Sequence, residues 1–132
     1  MAGISDLKVL LNSMKPNLLE GEFVFCTIPE KRFSELRIKP LLVFEEKEGI
    51  TIVLEKGVAD ANSLPYSGSW ALITLTVHSD LQAVGFLAKI TEKLAENGIS
   101  VNVVSAYYHD HLFVPVKKAD EAMKVLEELS KL

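Results

Sequence analysis

One stretch, Leu72-Ile73-Thr74-Leu75-Thr76-Val77-His78-Ser79-Asp80-Leu81-Gln82-Ala83-Val84-Gly85-Phe86-Leu87-Ala88, constrains the fold more than any other. It predicts a buried strand, a short polar turn, and a helix entered through a glycine. A strand delivered straight into a helix N-terminus concentrates free backbone N–H groups and the positive end of the helix dipole at one place. That place suits a small anion such as a carboxylate. Asn97-Gly98-Ile99-Ser100 then stops the helix, and Val101-Asn102-Val103-Val104-Ser105-Ala106 starts a second strand.

The chain around this stretch falls into elements of the same kind. The first strand spans Trp70 to Val77, and the helix about Asp80 to Asn97, with Val84, Leu87, Ala88, Ile90, Thr91 and Leu94 at helical spacing. Asn97-Gly98 reads as its C-cap. Tyr107-Tyr108-His109-Asp110 makes a tight connection to a third strand, His111 to Val116, whose Pro115 belongs at an edge or outside the ladder. A final helix from Lys117 to Leu132 carries Ala119, Ala122, Met123, Val125, Leu126 and Leu129 as its buried stripe. The order β-α-β-β-α predicts an α+β fold of the ferredoxin-like kind, with helices layered on an antiparallel sheet.

The first half repeats part of that order. Ser5 caps a short amphipathic helix carrying Leu7, Val9, Leu10, Leu11 and Met14, which Pro16 follows. Phe23 to Ile28 is a strand closed by Pro29, and residues 30–40 read as an exposed, charged loop. Leu41–Phe44 and Ile50–Leu54 form a hairpin around a solvated acidic tip, Glu45-Glu46-Lys47-Glu48-Gly49. Lys56 to Ser63 makes two helical turns, and Pro65 to Ser69 punctuates the chain. Two halves, 1–65 and 66–132, are expected to complete one another's sheets.

Totals set the outer limits on function. The 132 residues are 48% apolar, enough for a real core, and carry a formal net charge of -4. Nothing in that balance attracts phosphate backbones, and no Lys/Arg cluster lies among the aromatics, so nucleic acid is not an expected partner. The single cysteine, Cys26, lies in an apolar run and reads as a buried thiol. There is no basic, apolar-cored leader and no apolar run of about 18 residues, so no membrane association is expected and the localisation is cytoplasmic.

The residues Leu81 to Ala88, then Leu94-Ala95-Glu96-Asn97-Gly98-Ile99-Ser100-Val101, resemble an ACT domain. ACT domains are small βαββαβ regulatory modules that bind amino acids and often pair their sheets. The run Ser105-Ala106-Tyr107-Tyr108-His109-Asp110-His111-Leu112-Phe113-Val114 is similar to the strand–turn–strand of the ACT subgroup found in cytosolic arginine sensors, whose serine-led aromatic turn ends in an aspartate. The chain departs from the family pattern at Gln82, where most members have an aspartate, and Asp80 stands two residues earlier. Its first half follows the pattern only through Phe23 to Ile28 and the hairpin.

The resemblance implies a stand-alone sensor that is not an enzyme, binds an amino acid or a related small metabolite, needs no cofactor and pairs as a homodimer, which would also cover exposed sheet edges. The ligand-binding residues it points to are Asp80, Leu81, Ala83, Val84, Gly85, Asn102, Tyr107, Tyr108 and Asp110. N–H groups around Ala83, Val84 and Gly85 would hold the ligand carboxylate, with glycine admitting close approach. Asp110 would accept from its ammonium, and Asn102 and Tyr107 would orient or cover it. Plainer roles stay open: Gly85 for helix–strand packing, Asp80 as helix N-cap, Asp110 as a turn stabiliser, and one of Tyr107 and Tyr108 packed while the other faces out. The alternatives are a protein–protein interaction module without ligand, or a metal site using His78, His109 and His111 with Asp110, although that spacing matches no strong zinc signature. No nucleophile motif or phosphate-cradling loop is present.

Overall fold

A computed structural model describes residues 6–131. In chain order these run through helix α1 (Leu7–Ser13), strands β1 (Pro16–Leu18) and β2 (Phe23–Ile28), helix α2 (Glu30–Glu35), strands β3 (Leu42–Glu45) and β4 (Ile50–Glu55), and helix α3 (Lys56–Ala61). Strand β5 (Trp70–Leu75), helix α4 (Phe86–Glu96), strands β6 (Asn102–Ser105) and β7 (Asp110–Pro115), and helix α5 (Ala119–Leu129) follow, with a 3-10 turn over Val116–Lys118.

The larger of two units joins the N-terminal stretch through Glu20 to everything from Ala71 onward. Its C-terminal part, β5-α4-β6-β7-α5, lacks the last strand of a βαββαβ set. The N-terminus supplies it. Strand β1 pairs antiparallel with β5, Pro16 opposite Leu75 and Leu18 opposite Ile73, giving the order β1-β5-β7-β6. Pro16 has no N–H to lose, which suits a short outer strand. The core beneath this sheet combines Leu10 and Met14 of α1, Ile73 and Leu75 of β5, Phe86, Ile90 and Leu94 of α4, Leu112 and Val114 of β7, and Ala122, Leu126 and Leu129 of α5. The i, i+4, i+8 spacing of the α4 set places all three on one stripe. Gly98, at φ +72°, ends α4 with its N–H on the Ala95 carbonyl, as the sequence predicts.

The smaller unit spans Gly21–Trp70. Its sheet has the order β3-β4-β2, with β2 and β4 antiparallel from Phe23 opposite Glu55 to Ile28 opposite Ile50. Val24, Cys26, Ile28, Ile50, Ile52, Leu54, Ala59 and Leu64 form its core. The Cys26 thiol is buried as expected, and burial pushes its pKa up.

Several expectations need correction. The α1 cap assigned to Ser5 lies outside the described residues; Asp6 caps the helix, its carboxylate accepting from the Val9 N–H at 3.0 Å. Residues 30–35 form helix α2 rather than loop, because Phe33, with Leu36 and Ile38 beyond it, packs against the smaller core. Helix α1 and strand β1, although they precede residue 65, pack in the larger unit. Helix α4 begins at Phe86, six residues later than expected. Among the described residues no helix is long and apolar enough to cross a membrane.

Candidate functional site

The late start of α4 opens the site. Asp80 does not cap the helix; its Oδ1 accepts from the Gln82 N–H at 2.8 Å and its carbonyl from the Ala83 N–H at 2.9 Å. A short acidic side chain thus offers the backbone a turn in place of a helix. Gly85, at φ +89° and ψ -13°, then carries the chain into α4. That left-handed backbone is the reason for glycine here, since an added Cβ would meet only Leu7 Cδ2, at an ordinary 3.7 Å. Close ligand approach is not needed to explain it.

The first helical bond runs from the Lys89 N–H to the Gly85 carbonyl at 3.0 Å. Helix geometry leaves Phe86, Leu87 and Ala88 without intrahelical acceptors for their own N–H groups. These three residues line a pocket of about 120 Å³ together with Ser79, Asp80, Leu81, Ala83, Gly85, Ser105 and Asp110. Asp110 opens strand β7 directly opposite Ser105 of β6 and is only 4% exposed. Its Oδ2 accepts from the Ser79 hydroxyl at 2.7 Å, and Ser79 is buried as well. The other oxygen, Oδ1, carries no such bond, and no buried side-chain N or O among the described residues lacks a partner. Oδ1 is therefore reached by solvent, and the pocket is the opening that Asp110 lines. Three residues whose N–H groups have no intrahelical acceptor thus line one small space together with a carboxylate.

Of the nine residues picked out from sequence, Asp80, Leu81, Ala83, Gly85 and Asp110 line this pocket. Of the expected donors, the Ala83 N–H is already bonded to the Asp80 carbonyl. Val84 points to solvent at 84% exposure. Asn102 pairs with Phe113 at the far end of β6, three residues or about 10 Å from Ser105 along the strand. Tyr107 and Tyr108 are both exposed on the β6–β7 turn, not divided between core and solvent; they belong to a turn, where strand alternation does not operate. Their rings lie 4.9 Å apart, and Tyr108 rests 5.5 Å from the His78 ring. Ser79, Ser105, Phe86, Leu87 and Ala88 line the pocket too, and for the last three the sequence signal is Gly85, after which the helix starts.

Of the three histidines, His111 has a hydrogen-bond partner. His111 Nδ1 lies 2.9 Å from Thr74 Oγ1, and burial, followed by the neighbouring His109, lowers the His111 pKa against the opposing pull of Asp110. The His109 and His111 rings are 6.4 Å apart. Among the described residues no group of three or more His, Cys, Asp or Glu side chains is arranged to hold a metal ion.

The strand order with helices on one face defines the ferredoxin-like class. Residues 2–71 and 69–128 each match a family model described as an ACT domain, and the chain belongs to the ACT-domain family. A Vibrio cholerae protein of unknown function, described as a possible transport protein, is 47% identical to it over 94% of this chain and 95% of that one, with a TM-score of 0.85. An Agrobacterium tumefaciens protein shares the fold at 17% identity, covering 89% of each chain with a TM-score of 0.68. So does the ligand-free regulatory subunit of aspartate kinase from Thermus thermophilus, at 12% identity, 87% of this chain, 97% of that one and a TM-score of 0.66. No curated protein matches this chain in sequence.

Proposed function

We propose that the chain is a regulatory sensor, not an enzyme, and that it binds a free amino acid or a related small metabolite in the pocket at the start of α4. One observation carries this reading: the Asp110 carboxylate, held by Ser79, opens into the same small space as the unpaired N–H groups of Phe86, Leu87 and Ala88. An amino acid offers a carboxylate and an ammonium on one carbon, and this arrangement supplies a counterpart to each. Membership of the ACT family and the shared fold of an aspartate kinase regulatory subunit support a regulatory role.

The sensor is read as a cytoplasmic homodimer. The sequence halves 1–65 and 66–132 are two ACT-like modules, the first divergent, with α1 and β1 lent to the packing of the second. Exposed Leu81, Val84, Tyr107 and Tyr108 offer apolar surface for a second copy.

The test is a thermal-shift screen of the intact chain against all the common amino acids, repeated on Asp110→Asn. The substitution keeps the side chain's size, and its carbonyl oxygen still accepts from Ser79, but the charge is gone. Loss of a charge-assisted hydrogen bond, about 1.5–3 kcal/mol, lowers affinity roughly tenfold to more than a hundredfold. A ligand that stabilises wild type and a folded Asp110→Asn protein equally would place the site elsewhere.

A further inference from the structure

Resting on the homodimer reading above, we infer that two copies of the chain join through strand β3, which pairs antiparallel with β3 of the second copy about a two-fold axis at Phe44. Strand β3 ends the β3-β4-β2 order of the smaller unit, so one side of its backbone has no neighbouring strand. The ladder fixes which groups face that side. Glu46 and Gly49 exchange N–H to carbonyl bonds of 3.0 and 3.3 Å. Antiparallel pairs alternate between bonded and non-bonded, so Phe44 with Thr51 and Leu42 with Val53 are the next bonded pairs. The N–H and C=O groups of Val43 and Glu45 therefore point away from β4. Among the described residues nothing bonds to them on that side.

These four groups lie symmetrically about Phe44, and a two-fold axis there uses all of them. Val43 of each copy faces Glu45 of the other as a bonded pair, which gives four inter-strand hydrogen bonds. Phe44 meets its own counterpart in the non-bonded position between them, where Cα atoms come within about 4.5 Å and side chains approach most closely. Phe44 is 65% exposed, and Leu41 and Val43 beside it are exposed as well. Two phenylalanine rings set side by side remove from water the apolar surface that one copy leaves open.

Charge makes a second copy the fitting occupant. Exposed Arg37 and Lys39 precede β3, while Glu45, Glu46, Lys47 and Glu48, all exposed, end and follow it. The strand is thus basic at its entry and acidic at its exit. Antiparallel self-pairing lays each basic entry along the other copy's acidic exit, twice per dimer, whereas parallel pairing sets like on like. Strand β6, at the edge of the larger unit's sheet, has no charged residue from Asn97 to Tyr108 and offers no such match. Proline and lysine commonly guard a free edge, and Pro40 and Lys47 bound this one. They flank the outward groups of Val43 and Glu45 without interrupting them.

The experiment is sedimentation of the intact chain across micromolar concentrations, wild type against four variants whose folding is checked by circular dichroism. Val43→Pro deletes an outward N–H that β4 does not use. Phe44→Lys sets like charges opposite each other at the two-fold axis. Each should raise the dimer dissociation constant about tenfold or more. The other two change only charge. Arg37→Glu with Lys39→Glu makes entry and exit both acidic, and Glu45→Lys with Glu48→Lys makes both basic. Each double variant should dimerise more weakly than wild type, and an equimolar mixture of the two should recover the dimer. A wild-type chain that stays monomeric removes the homodimer reading and the inference together. A dimer unchanged in folded Phe44→Lys, or double variants that gain nothing on mixing, overturns the inference and leaves a homodimer with its interface elsewhere.

Discussion

The two units contain the same strand–helix–hairpin order, yet among the described residues only the larger one sets a buried carboxylate beside an open helix start. In the smaller unit the chain passes from β2 to α2 through Pro29 alone, and of the six residues of α2 only Phe33 is even partly buried. In the larger unit ten residues separate β5 from α4, Gly85 turns the chain, and the eleven-residue helix is anchored by Phe86, Ile90 and Leu94. The hairpins differ in the same sense. Strand β4 opens with Ile50 opposite Glu45, and Ile50 joins the core. Strand β7 opens with Asp110 opposite Ser105, and Asp110 meets Ser79. A shared layout therefore does not carry a shared site. The site depends on a helix start left open by its loop and on one strand-opening residue being a carboxylate with a hydroxyl to hold it.

The sharpest challenge to this contrast is to move the carboxylate. Ile50→Asp puts an acid at the corresponding strand opening, in the apolar core that Ile50 shares with Val24, Cys26, Ile28 and Ile52. An uncompensated buried charge costs about 3–5 kcal/mol, and urea unfolding should show a loss of that order. A loss below about 1 kcal/mol would mean that the smaller unit accommodates an acid as the larger one does.

A smaller effect separates glycines by backbone need. Gly85→Ala forces a side chain onto φ +89° and should destabilise by about 1–2 kcal/mol, although its Cβ has room. Gly57 lies inside α3 with nothing within 4 Å of an added Cβ, so Gly57→Ala should stabilise by about 0.4–1 kcal/mol. Equal thermal midpoints for the two variants would deny that the loop-to-helix turn is specially strained.

The smallest effect is a pH dependence confined to one unit, since His78, His109 and His111 all lie outside Gly21–Trp70. The folded chain lowers the His111 pKa below its ordinary 6.5, chiefly through burial. The unfolded chain therefore takes up the proton first. The stability tied to neutral His111 is complete above 6.5 and is lost as pH falls from there through the lower folded value. Hydrogen exchange should show the larger unit loosening on acidification, and His111→Gln should reduce that response. An acid-induced loss shared equally by both units and unchanged in His111→Gln would assign it to other groups.

Much of this architecture is readable along the chain because it is periodic or punctuated. The alternation in β2 and β4, the α5 stripe and the Asn97-Gly98-Ile99 exit are local signals that packing does not override. What escaped reading is not periodic. Three residues headed by Pro16 carry no strand signature, and β1 exists only because β5 offers it an edge. Asp80 can serve a helix cap or a turn equally well, and the choice moved the helix start by six residues. Ser79 has no marker at all: its role arises when the fold brings it to Asp110, 31 positions away in sequence. Asn102 sits three residues from Ser105 along β6, a separation that appears only once the register with β7 is set.

The central claim, one ligand place at the start of α4 and none at the start of α2, is tested most directly by amide NMR of the intact chain titrated with L-alanine. Saturable shifts should centre on Ser79, Gly85 to Ala88, Ser105 and Asp110, and should be lost in Asp110→Asn. Residues 28–35 and Ile50 should stay in place. Saturable shifts centred on those residues of the smaller unit, with Gly85 to Ala88 and Asp110 unmoved, would contradict the account.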